Sequence, residues 1–277
     1  MQYTDDYIDL SYVTEISHAL LFQVVGDVIK ESNLSYVNRN SKKVVPKNTF
    51  YTRYGKRVLD IIISAIALLF TTPINLILLI ITYFDVGTPV IFKQRRIGKD
   101  GREFTLIKFR NMTMDRNSSG ELLPPNERVT QFGKFVRRTS LDELLNFWSI
   151  FKGDMSIIGP RPILTEYYER YSDRHQMRHA IRPGLECPVV NASQNRNTWG
   201  NVFENDVYYV ENVSLILDIK MIISMFKLVF DSKEIATRGT AKRGSFMGYD
   251  IDGTSIDSHR VPIKYYEEAI KRIKADI

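Results

Sequence analysis

Hydrophobic and polar positions are spread unevenly along the chain, and one block departs from all the others. From Ile61 to Phe84 the sequence IIISAIALLFTTPINLILLIITYF runs 24 residues without a charge. At about 1.5 Å per residue a straight helix of this length would reach roughly 36 Å, enough to cross a bilayer core. A buried core helix is the alternative, but uncharged runs this long are unusual there, so the pattern predicts membrane contact. A secretory signal does not fit, because the block starts sixty residues in and the N-terminus MQYTDDYIDL is acidic. Thr72-Pro73 sits in its middle, where proline removes an amide donor and clashes with the preceding turn. Both flanks are basic: Lys42, Lys43, Lys47, Arg53, Lys56 and Arg57 before, Lys93, Arg95, Arg96, Lys99 and Arg102 after. Positive charge marks the cytoplasmic side, so a helix broken at Pro73 that enters and leaves on one face keeps both flanks inside. A tilted, Pro-kinked span is the competing geometry.

Elsewhere the periodicities are those of a soluble body. Tyr12 to Lys30 predicts a helix with Val13, Ile16, Leu20 and Val24 on one stripe, and Asn33 to Asn48 reads as a polar linker. Val90–Phe92 and Phe104–Phe109 are strand-like, and the Asp100-Gly101 pair between them is a hairpin signal. Arg116 to Arg128 reads as a long loop. Residues 140–152 predict one amphipathic helix with Leu141, Leu144, Leu145, Trp148 and Phe151 as its apolar stripe. Residues 163–180 look helical and polar. Val213 to Phe230 is apolar but carries Asp218, Lys220 and Lys227, which suits the membrane interface or packing on the core. A final helix is expected from near Pro262. The expected fold class is α+β and mostly helical: a monotopic membrane protein with one Pro-broken re-entrant helix (about 58–84), a β-hairpin and interfacial amphipathic helices. Residues 1–50 form an N-terminal extension, 51–230 a membrane-seated domain, and 231–277 a tail with a terminal helix.

Composition narrows the function classes. The 277 residues are 44% hydrophobic and 25% charged, which excludes bulk disorder. Lys and Arg number 38 against 32 Asp and Glu, a net charge of +6 that suits an acidic partner: phosphorylated substrate, nucleic acid or anionic membrane. A mean hydropathy of −0.20 argues against a polytopic membrane protein. The single cysteine, Cys187, excludes an internal disulfide and a multi-thiolate zinc site, in keeping with a reducing compartment.

Chemistry concentrates around Ser140-Leu141-Asp142-Glu143. Ser140 with Glu143 three residues on fits a helix capping box, and acids are favoured in a first turn. The alternative is functional: adjacent carboxylates divide roles, one attacking an electrophile and one holding a metal. A helix dipole there would keep Asp142 ionised, as a nucleophile must be. Lys134, Arg137 and Arg138 lie just upstream. Arg161, between Pro160 and Pro162, sits on stiffened backbone suited to gripping a phosphate or to a structural salt bridge. Carboxylates, arginines and a divalent metal are the parts of phosphoryl transfer.

In this company the sequence resembles the bacterial sugar transferase family, monotopic phosphoglycosyl transferases acting on polyprenyl phosphate. The matching residues are Lys56-Arg57-Val58-Leu59-Asp60, Pro73, Gln94-Arg95-Arg96-Ile97-Gly98 with Gly101, and Lys108-Phe109-Arg110-Asn111-Met112. They continue with Arg137 to Leu144, Lys152-Gly153-Asp154-Met155-Ser156, Ile158-Gly159-Pro160-Arg161-Pro162, Arg182-Pro183-Gly184 and Asp206-Val207-Tyr208-Tyr209-Val210. Coverage runs from about 54 to 230, and the motifs are specific as a set. The resemblance implies transfer of a sugar 1-phosphate from a nucleotide sugar, usually a UDP-sugar, to polyprenyl (undecaprenyl) phosphate, initiating an exopolysaccharide, capsule or O-antigen. It implies Asp142 as nucleophile, Glu143 as ligand of Mg2+, and Arg137, Arg161, Arg196 and Asp206 as substrate-binding residues. It also places the protein on the cytoplasmic face of the bacterial inner membrane, in contact with lipid; a homodimer stays open.

The sequence departs from the family's pattern in two places. Thr72 replaces the usual serine before Pro73. After Gly184, Leu185-Glu186-Cys187-Pro188-Val189-Val190-Asn191-Ala192-Ser193-Gln194 stands where the family has a stretch like Ile-Thr-Gly-Trp-Ala-Gln-Val-Asn-Gly-Arg; Gln194 falls on the family's arginine, with Arg196 two residues on as its substitute. This altered loop motivates a second reading, a catalytically inactive membrane scaffold recruiting glycosyltransferases. A nucleic-acid binder is the third, but the chain carries no nucleic-acid motif and its basic residues gather beside an apolar segment.

Overall fold

The computed structural model describes residues 7–13, 17–118, 120–187, 198–230 and 243–275. Arg196 and residues 188–194 of the altered loop lie outside the described residues.

The uncharged block forms helix α2 (Lys56–Val86), entered through a π-helical turn at Tyr51–Gly55. It is long and apolar enough to cross a membrane, and only 11% of its most apolar window is buried. The helix continues through Pro73 as one element, so the expected break does not appear and the proline is accommodated inside the helix. Next to it the Thr72 hydroxyl donates to the Leu68 carbonyl at 2.6 Å. Burial is confined to the two ends, at Asp60 and Ser64 and at Leu78 and Thr82, each pair four residues apart on one face. Both ends are tied to the polar body. Asp60 accepts from the Ser156 hydroxyl at 2.9 Å and the Ile157 amide at 3.0 Å. At the far end Asp85 accepts from the Thr130 hydroxyl at 2.6 Å, and the Val86 carbonyl accepts from Arg110.

Strands β2 (Ile91–Ile97) and β3 (Glu103–Phe109) pair antiparallel from Ile91↔Phe109 to Ile97↔Glu103, so β2 runs five residues past its expected end at Phe92. Asp100 (φ 55) and Gly101 (φ 74) supply the left-handed residues of the turn. Within 116–128 the chain makes an Arg116↔Leu122 bridge and a short helix α3 (Pro125–Arg128).

The single helix expected over 140–152 is divided. Helix α4 (Gln131–Thr139) closes on Ser140, which takes a left-handed φ of 57. A three-residue turn, Leu141–Glu143, follows, and α5 begins only at Asn146, running to Lys152. The apolar stripe faces outward: Trp148 and Phe151 are exposed, whereas Asn146, Ser149 and Ile150 are buried. Beyond α5, β4 (Ser156–Ile158) pairs in parallel with β5 (Gly184–Glu186). Between them, residues 163–180 form short turns around α6 (Asp173–Gln176) rather than one helix. Helix α7 (Trp199–Asn212) leads to α8 (Leu215–Phe230). Buried Asp218 fastens α8 to the start of α2, accepting from Lys56 and the Tyr51 hydroxyl at 2.6 Å each. The opposite face of α8 leaves Ile216, Ile219 and Ile223 exposed.

The two terminal segments meet. Helix α1 runs from His18 to Asn40, well into the expected linker. Its buried stripe is Leu21, Val25, Val28, Ile29 and Val37; Leu20 is exposed, so the true stripe lies one position on from the expected Leu20 and Val24. Strand β1 (Tyr7–Ile8), the β6–β7 hairpin (Phe246–Tyr249, Ser255–Asp257), β8 (Val261–Pro262) and α9 (Ile263–Ala275) pack with α1 around one apolar core. A second cluster, including Tyr167, Tyr171, Phe203 and Phe246, joins this layer to the body.

Candidate active site

The carboxylates of Asp142 and Glu143 stand where the chain leaving β3 meets the end of α4. Thr130 caps α4, its hydroxyl accepting from the Gly133 amide at 2.8 Å. Gly133 is the point of closest approach: a Cβ there would lie 2.2 Å from the Asn111 carbonyl oxygen, which no side chain tolerates. The tight seat brings Arg137, in the last turn of α4, onto Asn111. Its Nε donates to Asn111 Oδ1 at 3.0 Å, and Asn111 Nδ2 donates to Asp142 Oδ2 at 3.0 Å. An arginine thus orients an amide, and the amide orients the carboxylate.

Asp142 is 5% exposed. Burial pushes its pKa up, and the neighbouring Glu143 charge adds to that; Lys108 and Arg137 oppose it, leaving a value of about 6. This corrects the expectation of an acid held low by a helix dipole: the turn is three residues long, and no helix begins there. The carboxylate is still mostly ionised at neutral pH. Lys108 is drawn below the usual lysine range by burial, while Asp142 and Glu143 pull it back up.

Ser140 makes no side-chain cap bond to the turn, so the expected capping box does not form. Glu143 instead meets Arg161, Oε1 to Nη2 at 2.6 Å. Arg161 also donates to the Leu185 carbonyl at 3.2 Å and lies 3.7 Å from Glu186. This follows from the β4–β5 pairing: a Cβ on Gly184 would lie 2.1 Å from the Gly159 amide nitrogen, so two glycines let the strands run backbone to backbone. The Pro160-Arg161-Pro162 segment is thereby held over the first residues of the altered loop. Behind it, Arg178 donates to the Arg161 carbonyl at 2.9 Å.

The structure therefore gathers Asp142, Glu143, Arg137 and Arg161. It does not bring Asp206 to them: Asp206 is buried on α7, accepting from Arg178 Nε at 2.9 Å and Nη2 at 2.6 Å. Four residues went unassigned in the sequence reading: Lys108, Asn111, Arg178 and Glu186. The first two stand in a quoted motif, where strand alternation alone gives no hint of the turn they face. For a metal, no cluster of three or more His, Cys, Asp or Glu side chains exists among the described residues. The donor set of two neighbouring carboxylates, Asp142 and the 27% exposed Glu143, fits magnesium, which takes one or two carboxylates and completes its shell with water and substrate phosphate.

Comparison with known proteins gives the family. Residues 51–232 match the family model described as bacterial sugar transferase. A Bacillus subtilis protein named as an uncharacterized sugar transferase, EpsL, is 37% identical over 193 residues, covering 70% of this chain and 96% of that one. An Aeromonas hydrophila UDP-N-acetylgalactosamine-undecaprenyl-phosphate N-acetylgalactosaminephosphotransferase is 29% identical over 80% of this chain, and the match spans 52% of its length. A Klebsiella pneumoniae UDP-glucose:undecaprenyl-phosphate glucose-1-phosphate transferase is 34% identical over 62% of this chain and 39% of its own. The chain thus spans nearly all of the first relative and about half or less of the other two. The match over most of its length, carried by the segment that holds Asp142, Glu143 and Arg161, makes this chain a member of the bacterial sugar transferase family of enzymes.

Proposed function

We propose that the protein transfers a sugar 1-phosphate from a nucleotide sugar of the UDP class to polyprenyl phosphate, the first step of a bacterial surface glycan. The observation that carries this reading is Asp142, a buried carboxylate oriented by Asn111 and ringed by Lys108, Arg137 and Arg161. Names of the A. hydrophila and K. pneumoniae relatives supply the substrate classes.

Two in-line displacements balance the chemistry. Asp142 Oδ attacks the sugar-bearing phosphorus, the bridging P–O bond breaks, and the nucleoside monophosphate leaves with that electron pair. A polyprenyl phosphate oxygen then attacks the same phosphorus, and the Asp142 carboxylate leaves intact. Arg161 and Lys108 supply positive charge for the phosphoryl oxygens, and Arg137 acts through Asn111 to hold the nucleophile. Magnesium held by Glu143, with Asp142 beside it, would neutralise pyrophosphate charge.

The same reading seats α2 in the membrane as a re-entrant helix, with the body on the cytoplasmic face. Its exposed apolar middle, its two ends bonded to one body and its two basic flanks support this geometry. Trp148, Phe151 and the outer face of α8 are suited to the interface.

Release of UMP from a panel of UDP-sugars, with polyprenyl phosphate in detergent, tests the reaction. Asp142→Asn is expected to abolish release, a fall on the order of 10⁴-fold or more, and to leave no protein-bound sugar phosphate. Full turnover in that variant refutes the mechanism. No release by the native chain with any donor favours the scaffold reading, which the altered loop after Gly184 motivates.

A further inference from the structure

Beside the start of α2 lies a cavity of about 640 Å3 that Asp142, Glu143, Arg137 and Arg161 do not line. Its wall is cationic: Lys47, Arg53, Lys56, Arg57, Lys99 and Arg182 line it with a single carboxylate, Asp60. That carboxylate is engaged by Ser156 and Ile157. Lys56 is neutralised by Asp218 at 2.6 Å, and Lys99 lies 3.8 Å from Asp100. Among the described residues Lys47, Arg53, Arg57 and Arg182 form no ion pair, though the Asp60 charge acts on Arg57.

Two of these arginines have a structural role. Arg57 donates to the Ile150 and Phe151 carbonyls at 2.6 and 2.7 Å, and Arg182 Nε donates to the Gly153 carbonyl at 2.8 Å, so both cap the C-terminus of α5. Capping fixes their guanidinium planes but does not explain the other cations gathered with them. Among the described residues the terminal nitrogens of Arg182 and Arg53 carry no bond; Arg53 uses only Nε, on Asn48. Like charges held together in a concavity repel unless an anion enters, and fixed guanidinium forks lose little entropy on gripping one.

We propose that this cavity binds a phosphate group carried by a membrane-lipid headgroup. The lipid source follows from what borders the mouth. Exposed Tyr54 lines the cavity with exposed Phe50 against its ring at 5.6 Å, and Val58, Leu59, Ile61 and Ile62, which follow the lining residues Lys56 and Arg57 along α2, are exposed. Basic side chains against an apolar helix start, with aromatics at the boundary, are the chemistry that recognises anionic lipid. The source rests on the membrane reading of α2, which fractionation of cell membranes tests separately; the phosphate site stands apart from any role of Asp142.

The test titrates the full-length protein in neutral detergent with short-chain phosphatidylglycerol, short-chain phosphatidylcholine and glycerol phosphate, followed by calorimetry. Saturable binding of phosphatidylglycerol is expected, weaker by about tenfold in Arg53→Gln/Arg182→Gln, the effect of losing roughly one charge-assisted hydrogen bond. Lys47→Gln/Arg53→Gln alters only exposed side chains and covers the case in which loss of Arg182 unfolds α5. Asp142→Asn should bind as the native chain does. Glycerol phosphate binding as tightly as phosphatidylglycerol would overturn the lipid source. Unchanged affinity in both double variants, equal binding of phosphatidylcholine, or loss of binding in Asp142→Asn would overturn the site.

Discussion

Two arginine–carboxylate pairs in this molecule have the same contact and opposite surroundings. Arg178–Asp206 and Arg161–Glu143 each close at 2.6 Å, but the side chains are 1% and 2% exposed in the first pair and 53% and 27% in the second. The buried pair is also enclosed by aromatics: the Arg178 guanidinium lies 5.8 Å from the Tyr171 ring and 5.6 Å from Phe203. Screened from water, it has one stable arrangement and acts as a fixed strut. The open pair sits beside Asp142, and water or a phosphate oxygen can compete for either partner. A hydrogen bond from Arg178 to the Arg161 carbonyl connects the two, so the strut holds the backbone from which the working arginine projects. Burial, more than residue type or distance, separates support from chemistry here.

The largest effect should come from breaking the strut. Arg178→Ala or Asp206→Ala leaves an uncompensated buried charge and is expected to cost about 3–5 kcal/mol, read as a drop in denaturation midpoint. A stable, active Asp206→Ala would mean that Asp206 is neither strut nor, as the sequence suggested, a substrate ligand. The open pair should behave in the reverse way. Arg161→Ala is expected to change stability by less than about 1 kcal/mol, as exposed ion pairs do, while lowering UMP release by on the order of 10²-fold, as loss of a transition-state donor does. Equal losses of stability in both variants would erase the distinction.

Sequence patterning went furthest where one force dominates. The uncharged run, the hairpin around Asp100-Gly101 and the terminal helix all emerged from hydrophobicity and turn chemistry. It failed where tertiary contact overrides local preference. Residues 140–152 carry a helical stripe, yet left-handed Ser140 closes α4, the next three residues form a tight turn and α5 starts only at Asn146; the turn brings Asp142 to Asn111 of a different segment. Asp142, Glu143, Arg137 and Arg161 were legible through motif company. Asp206, expected at the substrate, stands instead on buried Arg178, since a carboxylate in a motif looks the same whether it faces substrate or a buried arginine. Arg178, in no quoted motif, offered no signal, and the packing of the two terminal segments on each other is invisible to any local window.

A third effect sharpens the comparison by its pH dependence. Asp142 is buried like Asp206 but has no salt-bridge partner among the described residues, and burial raises its pKa from 3.8 to about 6. Between those values the folded protein binds more protons than the unfolded chain, so stability falls as pH rises. The favourable contribution of the protonated group is fully present below about pH 3.8 and is lost by pH 6 and above. Asp142→Asn removes the charge while its amide oxygen still accepts from Asn111. It should therefore be more stable than the native chain above pH 6, by on the order of 3 kcal/mol, and converge with it toward pH 4. Native activity should follow the ionised fraction and rise through about pH 6, the opposite direction to stability. Thermal melts of both proteins across that range, with UMP release by the native chain, check the sign. If the two melting curves run parallel from pH 4 to 8, Asp142 titrates like a surface carboxylate and burial does not raise its pKa.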